Sequence, residues 1–325
     1  MAGDVEAALG GADACSTSAG RLLRGHRLSP TAVCLSDDDA TAYSVSKDGS
    51  VLCWDLATLT RRRFDRPDAG LAREAARAQG AAYWVQPSAR RGGSRDGHLA
   101  CSASSDGRYL AVGGGSTLVL LYDARTGRNV GALPGHKDAV SGLSFRRGSH
   151  DLFSSSFDRS VKIWSAGSQA YVDSLFGHQQ EVLCVDTRAS ERCLTGGADR
   201  SVRLFKVPEE TQLVFRARSM VTESCAFVSG SQWVTGDQDG AVCLYTNTQK
   251  KPIQSAYRAH PLDVGHGAGN CGEACASWVT AVGSASGCDL VASGAGNGVI
   301  RLWGTQGDPG RGGITSLRGE PPPAH

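Results

Sequence analysis

Five segments of the chain end the same way. SKDGSVLCW closes at Trp54, SFDRSVKIW at Trp164, GADRSVRLF at Phe205, DQDGAVCLY at Tyr245 and GAGNGVIRLW at Trp303. Each places Asp or Asn six residues before the aromatic: Asp48, Asp158, Asp199, Asp239 and Asn297. A sixth copy, GGGSTLVLLY, ends at Tyr122 with Ser116 at the turn position. Gly-His stands upstream of three copies, at Gly25-His26, Gly135-His136 and Gly177-His178, and Ala259-His260 is a degenerate version. From His to aromatic the three clean copies measure 28, 28 and 27 residues.

The Asp-Gly or Asp-Arg pair predicts a tight hairpin turn between two strands. Val161, Ile163, Val202 and Leu204 alternate with polar residues, as in a half-buried strand. The closing aromatic packs between neighbouring sheets. A buried His that donates to the turn Asp satisfies polar groups inside an apolar unit. Each copy reads as a four-stranded sheet that cannot bury both faces alone, and stacking in a ring buries them. A period of ~40–45 residues with Gly-His and Trp-Asp ends is the WD-repeat β-propeller pattern. The expected fold class is therefore all-β. His26, His136, His178, Asp48, Asp158, Asp199 and Asp239, with Trp54, Trp164 and Trp303, are expected to form a structural network within the blades.

Composition agrees. The chain has 42 Gly and only 2 Met in 325 residues, which suits many short strands and turns rather than a helical bundle. Lys+Arg is 34 against Asp+Glu 32, so a basic site has to be local. No stretch reaches the ~18–20 apolar residues of a membrane span, and Met1–Gly20 lacks a basic start with an apolar core. The 11 Cys form no framework of close pairs. Reduced thiols inside a cell are expected, with Cys53, Cys184, Cys225 and Cys243 packing as small hydrophobes.

Six blades are expected near residues 22–60, 98–127, 133–170, 175–210, 213–250 and 256–306. Together they make a propeller over 21–318, between a disordered 1–20 and a disordered tail at 319–325. Two stretches, 61–97 and 261–277, read as inserted surface loops, with a helical turn or two at Leu71–Gln79. Gly313–Leu317 reads as the first strand of an incomplete seventh blade, stopped by Glu320-Pro321-Pro322-Pro323. Arg21–Arg24 could add a strand beside it. Either six blades close imperfectly or the chain is a shortened form of a seven-bladed protein, and the second is favoured.

The middle of the chain is more specific than a generic propeller. GHKDAVSGLSFRRGSHDLFSSSFDRSVKIW (Gly135–Trp164), YVDSLFGHQQEV (Tyr171–Val182) and PEETQLVF (Pro208–Phe215) resemble the WD-repeat proteins of the U3 small nucleolar ribonucleoprotein. The resemblance covers roughly 25–317 and is strongest over 133–215. It implies a non-catalytic nuclear and nucleolar protein without a cofactor. That protein binds the box B/C element of U3 small nucleolar RNA beside a small kink-turn-binding protein and the box C/D core proteins. It then acts with the small-subunit processome in ribosomal RNA processing. Neither a membrane nor a small-molecule substrate is implied. The chain departs from the family by lacking a long charged N-terminal extension and most of a seventh blade, and by its two inserts.

An RNA-binding propeller needs Lys and Arg clustered on one rim. The densest candidates are Lys137, Arg146, Arg147, Arg159, Lys162, Arg200 and Arg203. Arg146-Arg147-Gly148 sits at a predicted turn, where guanidinium groups can fork onto phosphate oxygens. Arg159 and Arg200 occupy equivalent turns of adjacent copies, so repetition places them near one another. Against this, Arg after the turn Asp is often only solvated or paired with a neighbouring acid.

Three rival readings remain. His260, His266, Cys271 and Cys275 have zinc-capable side chains, but their spacing is irregular and the segment is Gly-rich. Tyr122-Asp123-Ala124-Arg125 nearly matches the Trp-Asp-x-Arg of substrate receptors of cullin-type ubiquitin ligases, although Asp-x-Arg also caps blades for packing reasons. An enzyme would need a nucleophile elbow, a phosphate loop or paired carboxylates, and none is found.

Overall fold

The structure, a computed structural model, describes residues 23–66, 97–188, 191–217, 221–261, 277–285 and 288–305, with the backbone of 315–317. Regular structure among these residues is entirely β, in six antiparallel four-stranded sheets. The first sheet is β1 (Pro30–Leu35), β2 (Thr41–Ser46), β3 (Val51–Asp55) and β4 (Arg61–Arg63). The second is β5 (His98–Ala103), β6 (Tyr109–Gly114), β7 (Val119–Asp123) and β8 (Asn129–Leu133). The third is β9 (Val140–Phe145), β10 (Asp151–Ser156), β11 (Val161–Ser165) and β12 (Ala170–Leu175). The fourth is β13 (Val182–Thr187), β14 (Arg192–Gly197), β15 (Ser201–Lys206) and β16 (Thr211–Arg216). The fifth is β17 (Thr222–Phe227), β18 (Gln232–Asp237), β19 (Val242–Thr246) and β20 (Gln254–Ala256). The sixth is β21 (Val279–Ser284), β22 (Leu290–Ala295), β23 (Ile300–Gly304) and β24 (Thr315–Leu317).

Strands pair in chain order within each sheet, and the first strands of successive sheets lie side by side. Their last residues, Leu35, Ala103, Phe145, Thr187, Phe227 and Ser284, surround one channel mouth. Each junction between neighbours is a separate apolar core. Between the third and fourth sheets it holds Phe153, Val161, Ile163, Val182, Val185 and Phe205. Hydrogen bonds staple the same junctions near the channel. Phe145 N–H donates to Ser102 Oγ (3.1 Å), Thr187 N–H to Ser144 Oγ (3.1 Å) and Phe227 N–H to an Asp186 carboxylate oxygen (2.7 Å). Burial pushes the Asp186 carboxyl up to about 6, against the N–H donors of Phe227 and Thr187.

The repeat network forms at the same positions in three sheets, with the His ring on the turn Asp in the third and fourth and on Ser50 in the first. In the third, the Trp164 indole donates to Ser154 Oγ (2.8 Å), which also meets His136 Nε2 (2.7 Å). His136 Nδ1 lies 2.9 Å from Asp158, whose carboxylate also accepts the N–H groups of Lys137 and Ser160. The fourth sheet repeats the His bonds with His178, Thr195 and Asp199, and Phe205 stands in the place of Trp164 without an indole donor. In the first, His26 bonds Ser44 and Ser50, and Asp48 accepts from Arg27 N–H and Ser50. Burial raises these Asp carboxyls. The donors and the adjacent His outweigh it and hold all three well below the usual carboxylate range.

Several expectations are corrected. Residues 61–63 are the outer strand of the first sheet, and Phe64 is buried between the first and second sheets, so the insert expected over 61–97 starts later. Leu71–Gln79 lies outside the described residues. Thr315–Leu317 does not open a seventh blade. It pairs with β23 and completes the sixth sheet, because Leu302 and Leu317 are in register. Leu23 and Arg24 are not a strand. Asp239 is exposed, and no Gly-His precedes its copy to reach it. The degenerate His260, by contrast, joins the network: its Nε2 meets Ser293 Oγ at 2.7 Å, and the Trp303 indole donates to the same oxygen.

The first and sixth sheets do not pack on each other as the five successive pairs do. Ile300 and Leu302 hold the positions of Val161 and Ile163. They are 73% and 49% exposed, where their counterparts are 1% and 4%. Val33 and Leu35 are likewise bare, where Leu143 and Phe145 are buried.

Two outcomes follow for urea unfolding. Ile163→Ala should cost about 2–5 kcal/mol, whereas the equivalent Leu302→Ala should stay within about 0.5 kcal/mol. Equal costs would show that the outer face of the sixth sheet is covered. Asp158→Asn should cost about 1–3 kcal/mol at neutral pH, because buried donors lose a charged acceptor. A carboxyl lowered by folding contributes fully above its unfolded value near pH 4, and the contribution fades as pH falls toward the folded value. The gap between wild type and variant should therefore shrink below about pH 4. A pH-independent gap would remove the ionised network.

Candidate nucleic-acid interface

Strand direction alternates in each sheet. The connections entering first strands and the turns joining second to third strands therefore share one rim. The turns joining first to second strands share the other. Lys137 follows His136 on the first rim, and Arg159 and Arg200 occupy second-to-third turns beside it. All three are exposed, and none forms an ion pair among the described residues.

The turn backbone adds an independent observation. The residue after the turn Asp or Asn has positive φ in every such turn. It is Gly49 (73°), Gly240 (73°) and Gly298 (78°) in three sheets, but Arg159 (69°) and Arg200 (59°) in two. Left-handed backbone costs a residue with a Cβ about 1 kcal/mol or more, which glycine avoids. Three sister copies avoid that strain with glycine, whereas Thr117 (61°) of the second sheet carries it as Arg159 and Arg200 do.

Lys162 and Arg203 lie near the same rim but are more confined. Lys162 Nζ donates to Ser174 Oγ (2.9 Å) and sits 5.0 Å over the Tyr171 ring; burial lowers its pKa. Arg203 Nη1 donates to Gln212 Oε1 (2.8 Å), and Nη2 is 4.0 Å from Asp199.

Arg146 and Arg147 are placed elsewhere. Their turn joins β9 to β10 on the opposite rim, and both guanidinium groups are engaged by carboxylates. Arg146 lies 3.4 Å from Asp151 and 3.3 Å from Glu191, and Arg147 lies 2.7 Å from Asp37 in the first sheet. His150 meets Asp106 of the second sheet at 2.7 Å, and Gly148 N–H donates to Ser105 Oγ. The turn is a hub tying the third sheet to the first, second and fourth. That accounts for the Arg-Arg-Gly run without a phosphate.

Basic residues of the first sheet were not among the expected candidates. Arg27, Arg61 and Arg63 line a cleft of about 270 Å3 with Asp48, and Arg61 Nη1 donates to the Arg24 carbonyl (2.8 Å). A signal existed: Arg61 stands seven residues after Trp54, as Tyr171 does after Trp164 at the start of a fourth strand.

The rival sites resolve differently. His260 is buried on Ser293, while His266, Cys271 and Cys275 lie outside the described residues; no metal-capable cluster occurs among those described. Asp123 accepts the N–H groups of Arg125 (2.9 Å) and Thr126 (3.2 Å), and Tyr122 is buried, so Tyr122–Arg125 caps a turn and packs a core.

The family described as WD domain, G-beta repeat matches residues 18–55, 127–165 and 169–206. U3 snoRNP-associated protein-like EMB2271 of Arabidopsis thaliana is 40% identical over 288 residues, 88% of this chain and 58% of that protein. U3 small nucleolar RNA-interacting protein 2 of Homo sapiens is 36% identical over 290 residues, 87% of this chain and 56% of that protein. The chain thus spans somewhat over half the length of these curated relatives. The solved "Structure of U3-55K" superposes with a TM-score of 0.78 at 35% identity, covering 92% of this chain and 83% of that one. With its repeat network and this likeness across nearly the whole propeller, the chain belongs to the WD-repeat proteins of the U3 small nucleolar ribonucleoprotein.

Proposed function

We propose that the protein is a non-catalytic, RNA-binding scaffold of the U3 small nucleolar ribonucleoprotein. The observation that carries the RNA contact is the unpaired basic rim of the third and fourth sheets. Lys137, Arg159 and Arg200 are its exposed members, two of them held in left-handed turns. Lys162 and Arg203 line the rim behind them, and the first-sheet cleft of Arg27, Arg61 and Arg63 extends it. Arg146 and Arg147 serve the fold instead. In this reading the rim meets the backbone of the box B/C element of U3 RNA, beside a small kink-turn-binding protein and the box C/D core. The particle then acts in the nucleolus with the small-subunit processome in ribosomal RNA processing. Names of the relatives above support the particle, and the charge distribution supports direct contact.

Glycine in the sister turns makes a clean test available. Arg159→Gly with Arg200→Gly removes two cations and relieves backbone strain, so the variant should melt no lower than wild type. Filter binding of transcribed U3 RNA, with the kink-turn-binding protein present, should show weaker affinity and a salt slope reduced by about 2. Arg146→Ala with Arg147→Ala should leave RNA affinity unchanged and lower the melting temperature. The reverse pattern would move the interface to the opposite rim.

A further inference from the structure

Phe176 is 69% exposed, more than any other aromatic side chain among the described residues. The fold does not ask for an aromatic there. The residue at the same place before the third sheet, two positions ahead of its His, is Pro134, and it is buried. Val161 pairs with Leu175 at the end of β12. The chain therefore leaves the strand with Phe176 alongside Ser160 and the Asp158-Arg159 turn. The next residue, Gly177, lies against the fourth sheet. A Cβ on it would stand 2.5 Å from Arg203 Nη1. Phe176 thus sits between the two halves of the basic rim, with Arg159 and Lys162 on one side and Arg200 and Arg203 on the other.

The surroundings select the occupant. The residues next in the chain are Gly177, His178, Gln179 and Gln180, and the flanking turn carries Arg159. The other exposed apolar side chains nearby, Tyr171, Val172, Leu213 and Val214, belong to the outer strands β12 and β16. A flat apolar ring amid cations and amides matches an unpaired nucleobase. Its π-face stacks on the ring while its phosphates meet the arginines. A base inside an A-form duplex presents no free face to stack on.

We propose that Phe176 is a stacking platform for an unpaired base of the bound RNA, making the rim of the third and fourth sheets a single-strand recognition site. The proposal rests on the RNA-binding reading above and adds the structural class of RNA that the rim takes.

The test compares transcribed U3 RNA with a fully base-paired RNA of equal length, using the whole chain with the kink-turn-binding protein. Phe176→Ala should weaken binding of U3 RNA by about 5- to 100-fold. Its salt slope should stay at the wild-type value, because no cation is removed. Phe176→Trp should retain affinity, and the paired RNA should bind all three proteins alike. The exposed position leaves the melting temperature unchanged, which a thermal scan checks. Wild-type affinity in Phe176→Ala, with Arg159→Gly plus Arg200→Gly still weakened, overturns the stacking site and leaves the rim standing. If neither variant changes RNA binding, both readings fall. Loss of the kink-turn-binding protein from Phe176→Ala with RNA affinity intact makes this a protein-docking face, and also overturns the proposal.

Discussion

A sheet that is apolar on both faces is stable only between two others. That constraint organises this molecule. Five successive junctions each bury an aliphatic core with one to four large aromatics, and hydrogen bonds staple several of them near the channel. The same constraint marks the first and sixth sheets as different. Val33 and Leu35 on one, and Ile300 and Leu302 on the other, carry the side chains of a junction and stand exposed among the described residues.

Burying both faces leaves polar groups of the turns close to the core, and the His-Asp-Ser-Trp relay satisfies them. It also holds the second-to-third turns rigid on one rim. A rigid turn is a good place for a cation that must meet a fixed phosphate, since little side-chain and backbone freedom is left to lose. The left-handed arginines fit that logic. Strain tolerated at Arg159 and Arg200 is supported by the bonds that Asp158 and Asp199 make immediately before them.

The two rims divide the work. On one, Lys137, Arg159 and Arg200 are exposed and form no ion pair among the described residues. On the other, Arg146, Arg147 and His150 pair with Glu191, Asp37 and Asp106 across three neighbouring sheets. Net charge near neutrality conceals this division, because it does not tell Arg146 and Arg147, which meet carboxylates, from Arg159 and Arg200, which do not.

The sheets, their turns and most of the relay were legible from spacing alone. A turn Asp, an alternating strand and a closing aromatic are local, and hairpin geometry depends on neighbours in sequence. His260 was legible only as a degenerate copy, since the 262–276 stretch separates it from the strands it serves. Partnership across sheets was not legible. Arg146 reads as a free cation until the fold brings Glu191 beside it, and Asp239 reads as a network member until its exposure is seen. Thr315–Leu317 reads as a new beginning because pairing, not composition, decides whether a strand closes one sheet or opens another. Repetition by itself therefore determined the kind of fold and that the equivalent turns of Arg159 and Arg200 lie near one another. Only the tertiary structure decided which charges remain available, because ion pairing and burial depend on residues far apart in the chain.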